Sequence, residues 1–140
     1  MRNDAMQILF DTSDFPPRWH CGNWTDLHGW VHIVADLATA AAYFAIPAIL
    51  IYFIRKREEL AFRGLFWLFA LFILSCGTVH VVEATIFWLP VYRVSALFKV
   101  LNATISIATA IALTRVLPRA IQWPGMAAVA AKLEEEVQQR

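Results

Sequence analysis

Three apolar runs, each over 20 residues long, limit the folds that this sequence can adopt. They cover residues 31–54, 65–90 and 94–117. A helix needs about 20 apolar residues to cross the ~30 Å hydrocarbon core of a bilayer, so each run can span a membrane. A buried bundle in a soluble protein is the alternative, but 59% of the 140 residues are hydrophobic and only 16% are charged, which leaves little polar surface to cover three such helices. We therefore predict an all-α integral membrane bundle with three transmembrane helices per chain.

The positions of the basic residues predict the orientation of this bundle. Most of them lie between the first two runs, at the end of the third or after it: Arg55, Lys56, Arg57, Arg63, Arg115, Arg119 and Lys132. Because positively charged loops stay in the cytoplasm, we expect the C-terminus inside and the N-terminus outside. Residues 1–30 are polar and lack the apolar core of a secretory signal peptide. The formal net charge of +1 argues against a nucleic-acid partner, which would require a basic face.

The chain divides into three regions on this interpretation. Residues 1–30 form an extracytoplasmic segment, residues 31–118 form the membrane domain, and residues 119–140 form a cytoplasmic linker with the start of a further helix. Pro118 and the "WPG" stretch at 123–125 are expected to break the third helix. Apolar side chains then recur on one face, as in a coiled-coil seam: Met126, Val129, Leu133 and Val137. Two heptads do not distinguish such a seam from a solvated, charged tail.

The second run carries ionisable side chains, which are costly inside a bilayer and usually mark functional sites. Ile73, Cys76, His80 and Glu83 follow one another at spacings of three, four and three residues. These spacings place them on one face of a helix.

The first and third runs each carry a polar stripe as well. The stripe residues are Asp36, Tyr43 and Pro47 with Ile46 beside them on the first run, and Lys99, Asn102, Ser106 and Thr109 on the third. At a rise of ~1.5 Å per residue, Asp36, Glu83 and Lys99 lie at a similar depth, together with His80. We therefore predict a polar layer in the outer half of the bundle, with a direct or water-bridged Asp36–Lys99 pair.

Cys76 and His80 are the main candidates for a metal site. Side chains at positions i and i+4 of a helix are neighbours, and a thiolate and an imidazole can hold one metal ion together. Structural zinc requires four protein ligands, whereas Cu(I) is a soft ion that thiolate ligands favour and that needs fewer of them. Copper with an open position can bind an alkene. The residues alone leave open the alternative of a small buried Cys76 and a core histidine with a hydrogen-bond partner.

Resemblance to a known family strengthens the copper interpretation. The stretches "ADLATAAAYFAIPAILIYFIRKR", "FILSCGTVH" and "KVLNATISIATAIALTRVLP" resemble the transmembrane sensor of the ethylene receptors of plants and cyanobacteria. The resemblance covers all three helices in the same order, and it implies that Cys76 and His80 hold Cu(I) and that Lys99 faces the aspartate of the first helix. It also implies that five residues contribute to ethylene binding: Asp36, Tyr43, Ile46, Pro47 and Ile73.

The resemblance further implies the partners of the chain. Such receptors are homodimers in membrane lipid, here expected in a bacterial inner membrane, and they pass their ligand state to a cytoplasmic histidine-kinase-like output domain. Two departures from the plant pattern stand out. Glu83 occupies a position where we expect a neutral polar residue, and Cys21 is a single cysteine where plant receptors carry a linking pair near the N-terminus. Cys21 could bridge two chains or remain free.

A second group of possible metal ligands precedes the first run: His20, Cys21, His28 and His32. This group could form an outer zinc or copper site, or it could belong to an interfacial segment stabilised by tryptophans.

We therefore predict a Cu(I)-dependent ethylene-binding sensor module without catalysis of its own. Glu83, Lys99 and Asn102 would form a supporting polar layer around the site. A membrane protein that handles copper is one alternative, although the three methionines of the chain all lie outside the runs. An intramembrane proton or ion relay through Asp36, Glu83 and Lys99, which needs no copper, is the other.

Overall fold

The computed structural model describes residues 2–57, 61–121 and 126–139. Within these residues all of the regular secondary structure is helical. The elements in chain order are α1 (Arg2–Phe10), a 3-10 turn (Arg18–His20), α2 (Asp26–Lys56), α3 (Arg63–Thr85), α4 (Tyr92–Ile121) and α5 (Met126–Gln138). Helices α2, α3 and α4 are long and apolar enough to cross a membrane. The prediction of an all-α fold with three membrane-spanning helices is confirmed.

Residues 11–25 cover one end of the bundle, which we name the capped end. At this end the bounds of α2 and α3 differ from the bounds of the apolar runs. Helix α2 begins at Asp26, five residues before the run, because the Thr25 hydroxyl caps it and accepts the backbone N–H of His28 at 3.3 Å. Helix α3 ends at Thr85, before the run does. The carbonyl of Ile86 accepts the backbone N–H of Arg18 at 3.0 Å, so the chain beyond Thr85 binds the N-terminal segment instead of continuing the helix.

Helix α4 extends through Pro118 to Ile121, so the expected break at Pro118 is wrong. A proline inside a helix removes one hydrogen bond, here to the carbonyl of Thr114, and it crowds that carbonyl. Near the end of a long helix this loss affects a single turn, and the helix continues. The "WPG" stretch at 123–125, also expected to break the helix, lies outside the described residues.

Helix α3 is the central helix of the bundle and packs against both α2 and α4. Its contacts are made through small side chains, as is usual between membrane helices. The small residues buried in the described parts of the three helices are Gly29, Ala40, Ala70, Gly77, Ala84, Ser95 and Thr109. At Gly77 a Cβ atom would lie only 3.0 Å from the Cβ of Tyr43, so α2 and α3 approach each other closely there.

Large apolar side chains cover the outer faces of the three helices. Val34, Ile49, Val100 and Ile107 are each about 60–70% exposed in the isolated chain. Such surfaces suit a hydrocarbon environment, which requires no polar coat.

The N-terminal segment packs onto the capped end through aromatic rings. The Trp19 ring lies edge-on to Phe87, with centroids 5.2 Å apart, and it also covers Gly29, where any Cβ would overlap the indole. Further along, the guanidinium group of Arg93 donates to the carbonyls of Ile8 and Asp11, both at 3.0 Å. The segment is therefore fixed to all three membrane-spanning helices.

Candidate functional site

His80 is held between α2 and α3 by a carboxylate and an aromatic ring. Its Nδ1 atom lies 2.8 Å from Oδ1 of Asp36, and the His80 and Asp36 side chains are 34% and 20% exposed. The ring of Tyr43 meets the imidazole edge-on, with centroids 5.7 Å apart. An imidazole that donates its Nδ1–H to a carboxylate keeps a free lone pair on Nε2. This is the arrangement usual for histidines that bind metal ions.

Cys76 is held from the other side, by α4. Its thiol donates to Oδ1 of Asn102 at 3.3 Å, and the hydroxyl of Ser75 donates to the same oxygen at 2.7 Å. Asn102, predicted only as part of a supporting polar layer, therefore contacts a candidate ligand directly. Cys76 is a half-buried free cysteine.

Cys76 and His80 thus form a two-residue donor set on one face of α3. Their spacing of four residues makes them neighbours on the helix, and each is oriented by a partner from a different helix. Within the described ranges, no group of three or more His, Cys, Asp or Glu residues could hold a metal ion. A zinc site with four protein ligands is therefore not formed there, whereas a thiol and an imidazole with a free Nε2 suit a soft ion of low coordination number such as Cu(I).

Glu83 is the centre of a second polar cluster, which we name the Glu83 cluster. Its Oε1 atom accepts from Lys99 Nζ at 2.8 Å and from the Ser95 hydroxyl at 2.7 Å. Its Oε2 atom accepts from Arg18 Nη2 at 2.8 Å. The carboxylate is 17% exposed, and a buried charge requires such partners. The cluster therefore joins the N-terminal segment, α3 and α4 at a single side chain.

The charge of Glu83 also affects Arg18, which lies outside the membrane-spanning helices. Burial lowers the pKa of Arg18, but the hydrogen bond and the negative charge of Glu83 outweigh this effect and raise the pKa above its ordinary value. Arg18 is therefore a permanent cation in the cluster.

The polar layer forms, but with direct partners other than the predicted Asp36–Lys99 pair. Lys99 binds Glu83, and Asp36 binds His80. The physical reason is the central position of α3, which packs against both other helices. Side chains of α3 therefore meet the carboxylate of α2 and the ammonium group of α4 before these two groups can meet each other.

The remaining predicted ligand-binding residues occupy different environments. Pro47 is fully buried and Ile73 is half-buried, whereas Ile46 is 46% exposed on the surface of the chain. The resemblance to ethylene receptors assigned all three to ethylene binding, and that assignment stays a prediction. Tyr43, in contrast, contacts His80 as described above.

A groove between α3 and α4 leads to the Asn102 side of the site. It has a volume of about 220 Å³ and is lined by Leu71, Leu74, Ser75, Thr78, Phe98, Leu101 and Ile105. Because Ser75 donates to Asn102, the groove ends beside the residue that holds Cys76.

Three residues of the two polar sites, and one glycine at the contact between α2 and α3, were not predicted from the sequence. They are Arg18, Ser75, Gly77 and Ser95. An isolated glycine inside a helix indicates a close approach of another backbone, so Gly77 could have been found. Arg18 gives no such signal, because it lies 65 residues from Glu83 in the sequence.

The residues of the N-terminal histidine group are only partly brought together. His28 and His32 meet, with their Nε2 atoms 3.2 Å apart. The Cys21 thiol instead lies 4.0 Å from the carbonyl of Pro16. The four predicted members of this group therefore do not converge on one point.

Comparison with known protein families gives a match over residues 28–123, to the family described as Ethylene receptor 1-like, N-terminal domain. The match begins near the start of α2 and ends just past α4, so it includes all three apolar helices. No solved structure matches the chain.

Proposed function

Because the chain belongs to the Ethylene receptor 1-like, N-terminal domain family, we propose that this receptor sensor module binds ethylene through a single Cu(I) ion. Cys76 and His80 would hold the ion. The observation that carries the proposal is the contact between His80 Nδ1 and Asp36 at 2.8 Å, which leaves Nε2 of the same ring free for a metal ion. When bound, Cu(I) supplies an open coordination position and filled d orbitals that donate electron density to an alkene.

Asn102 would orient Cys76 in both of its protonation states. In the thiol state its Oδ1 atom accepts the S–H hydrogen, as the 3.3 Å contact indicates. A thiolate ligand has no hydrogen to donate, and a rotation of the amide would then turn the Nδ2 donors toward the sulfur. Hydrogen bonds of this kind to a ligand atom tune the metal site.

The apolar surroundings of the donor set would admit a gas and exclude water. The buried Pro47 and the half-buried Ile73 supply apolar contact on the α2 and α3 side. The groove between α3 and α4 offers an apolar route from the surface of the chain to Ser75. An apolar gas concentrated in lipid would reach the site by this route without crossing a charged layer.

The ligand state would be transmitted along the helices, from the capped end toward the opposite end of the bundle. We propose that the N-terminus lies outside the cell, that the chain acts as a homodimer, and that α4 transmits the ligand state to a cytoplasmic output domain. The concentration of basic residues at the end opposite the capped end supports this orientation. The module itself would carry out no catalysis, and any kinase activity would reside in the output domain.

The test measures copper content and ethylene binding in the same membrane preparation. Cys76→Ser and His80→Ala should each lose most of the bound copper and ethylene while the protein still inserts, whereas Cys21→Ser should keep both. Ile73→Phe should keep copper but lose ethylene, because it fills space beside the ion without removing a ligand. Val81→Phe is the matched control, since Val81 is 37% exposed on the same helix.

Different results would favour the alternatives. Copper retained in both ligand variants would exclude the pair as ligands, and ethylene binding unchanged in Ile73→Phe would favour a copper-handling protein. If metal analysis finds no copper in the purified protein, the result would favour the intramembrane proton or ion relay. The relay has less support, because Asp36 pairs with His80 while Glu83 pairs with Lys99, and no contact links the two pairs into one path in the described part of the chain.

A further inference from the structure

Two exposed histidines at the start of α2 converge outside the site described above. His28 and His32 lie four residues apart on the helix, and their Nε2 atoms are 3.2 Å apart. Their ring centroids are 4.9 Å apart. Nothing in the proposed ethylene site uses either residue.

The two rings are held in this arrangement by Trp24. The Trp24 ring lies 4.9 Å from the His28 ring and 5.4 Å from the His32 ring, measured between centroids. The indole is itself fixed, because its Nε1–H donates to the carbonyl of Cys21 at 2.8 Å and because it packs edge-on against the buried Phe87. The imidazoles therefore have little freedom to separate.

The separation of the two Nε2 atoms fits two bonds to one metal ion. Metal–imidazole bonds are about 2.0–2.1 Å long, and two such bonds that end 3.2 Å apart enclose an angle of about 100°. This angle lies between the values of square-planar and tetrahedral coordination, which divalent copper, nickel and zinc adopt.

We propose that His28 and His32 form a second metal site, which binds a divalent first-row transition-metal ion at the capped end. Imidazole ligands suit Cu²⁺, Ni²⁺ and Zn²⁺, and among these ions Cu²⁺ binds most tightly to a given nitrogen site. Within the described ranges no third His, Cys, Asp or Glu completes the group, so water fills the other coordination positions. The site is therefore weaker and more labile than a structural zinc site.

A direct hydrogen bond between the two rings is the competing explanation of the 3.2 Å distance. One neutral imidazole would donate its Nε2–H, and the other would accept it. In that case the pair would bind metal ions no more tightly than any other two surface histidines do.

The experiment titrates Cu²⁺ and Zn²⁺ into the purified 140-residue chain carrying both Cys76→Ser and His80→Ala, so that the intramembrane donor set cannot contribute. His28→Ala and His32→Ala should each weaken Cu²⁺ binding at least tenfold, because each removes one of two ligands. His20→Ala is the matched control and should change it less than twofold, since His20 is an exposed histidine outside the pair. Electron paramagnetic resonance of bound Cu²⁺ should show two imidazole nitrogens, and only one in either variant.

Thermal unfolding gives a second, independent readout. An ion that bridges positions i and i+4 binds only when the first turns of α2 are helical, so Zn²⁺ should raise the Tm. This rise should be lost in His32→Ala. Equal Cu²⁺ affinity in the parent chain and in His28→Ala would overturn the proposal, as would an equal Zn²⁺-induced rise in Tm in the parent chain and in His32→Ala. Neither measurement depends on whether Cys76 and His80 bind copper.

Discussion

At the residue scale, the orientation of His80 depends on one carboxylate. Asp36 Oδ1 lies 2.8 Å from Nδ1 of the ring, and the edge-on contact with Tyr43 fixes the ring plane. The resemblance to ethylene receptors assigned Asp36 to ligand binding and to a pair with Lys99. The contact in the structure supports a more specific proposal, which is that Asp36 holds His80 in the tautomer with the proton on Nδ1.

Asp36→Asn should therefore weaken copper binding by about 10- to 100-fold, the usual cost of losing a partner that orients a metal ligand. The amide no longer carries the charge that holds the Nδ1–H, so the proton can move to Nε2 and block the lone pair. Copper content after equilibration with a competing chelator measures the effect. Asp26→Asn, on the exposed first turn of the same helix, should have no effect, and an equal loss in both variants would contradict the role assigned to Asp36.

At the scale of the elements, the distance between α2 and α3 is set at Gly77. The Cβ of Tyr43 is fixed to the backbone of α2, so it cannot move aside as the end of a long side chain would. A methyl group at position 77 would lie 3.0 Å from it. The helices would therefore have to separate, and His80 would move away from Asp36.

Gly77→Ala should lower the free energy of unfolding by about 1–3 kcal/mol, the usual cost of overpacking, and should reduce copper binding. Gly64→Ala is the matched control, because no atom lies within 4 Å of the position of its Cβ. There the better helix propensity of alanine should be neutral or stabilising, by up to about 1 kcal/mol. Unfolding in detergent measures both variants. A stabilised Gly77→Ala protein would show that α2 has room to move.

The number of helices and the faces of their polar residues can be predicted from the sequence alone, but the order in which the helices pack cannot. Hydrophobic run length predicted three helices, and the spacing of three and four residues placed Cys76, His80 and Glu83 on one face of α3. The rise per residue gave a common depth for the charged groups. The rise gave no information on which helix lies in the middle, so it did not predict that Asp36 pairs with His80 and Lys99 with Glu83. The start of α2 and the end of α3 differ from the ends of the apolar runs. They are set by the Thr25 cap and by the contact of Ile86 with Arg18, which are hydrogen bonds that hydrophobicity does not predict.

At the scale of the whole molecule, the Glu83 cluster joins segments that are far apart in the sequence. Arg18 comes from the N-terminal segment, Glu83 from α3, and Lys99 from α4. The Lys99 side chain is 55% exposed, whereas that of Arg18 is 22% exposed. Of the two contacts, Arg18–Glu83 is the one that ties the N-terminal segment to α3.

A double-mutant cycle with Arg18→Met and Glu83→Gln should give a coupling energy of about 1–3 kcal/mol, as expected for contacting residues in one polar network. The free energy of unfolding is measured for the parent chain, both single variants and the double variant. Lys132→Met, which removes a positive charge from α5, provides the control and should be nearly neutral. A coupling energy close to zero would mean that the N-terminal segment is held by its other contacts, which include the aromatic rings and the hydrogen bonds to Ile86 and from Arg93.

The separation of the two polar sites along α3 has a consequence for how such chains can diverge. Asp36 and Asn102 serve Cys76 and His80, while Arg18, Ser95 and Lys99 serve Glu83, and no residue belongs to both sets. A descendant that replaced Glu83 by a neutral residue would leave Arg18 without its counter-charge, so the arginine would have to change with it. Lys99 could instead pair with the carboxylate of the first helix, as the resemblance to ethylene receptors implies. Substitutions at positions 18 and 83 should therefore occur together among descendants, independently of positions 76, 80 and 102.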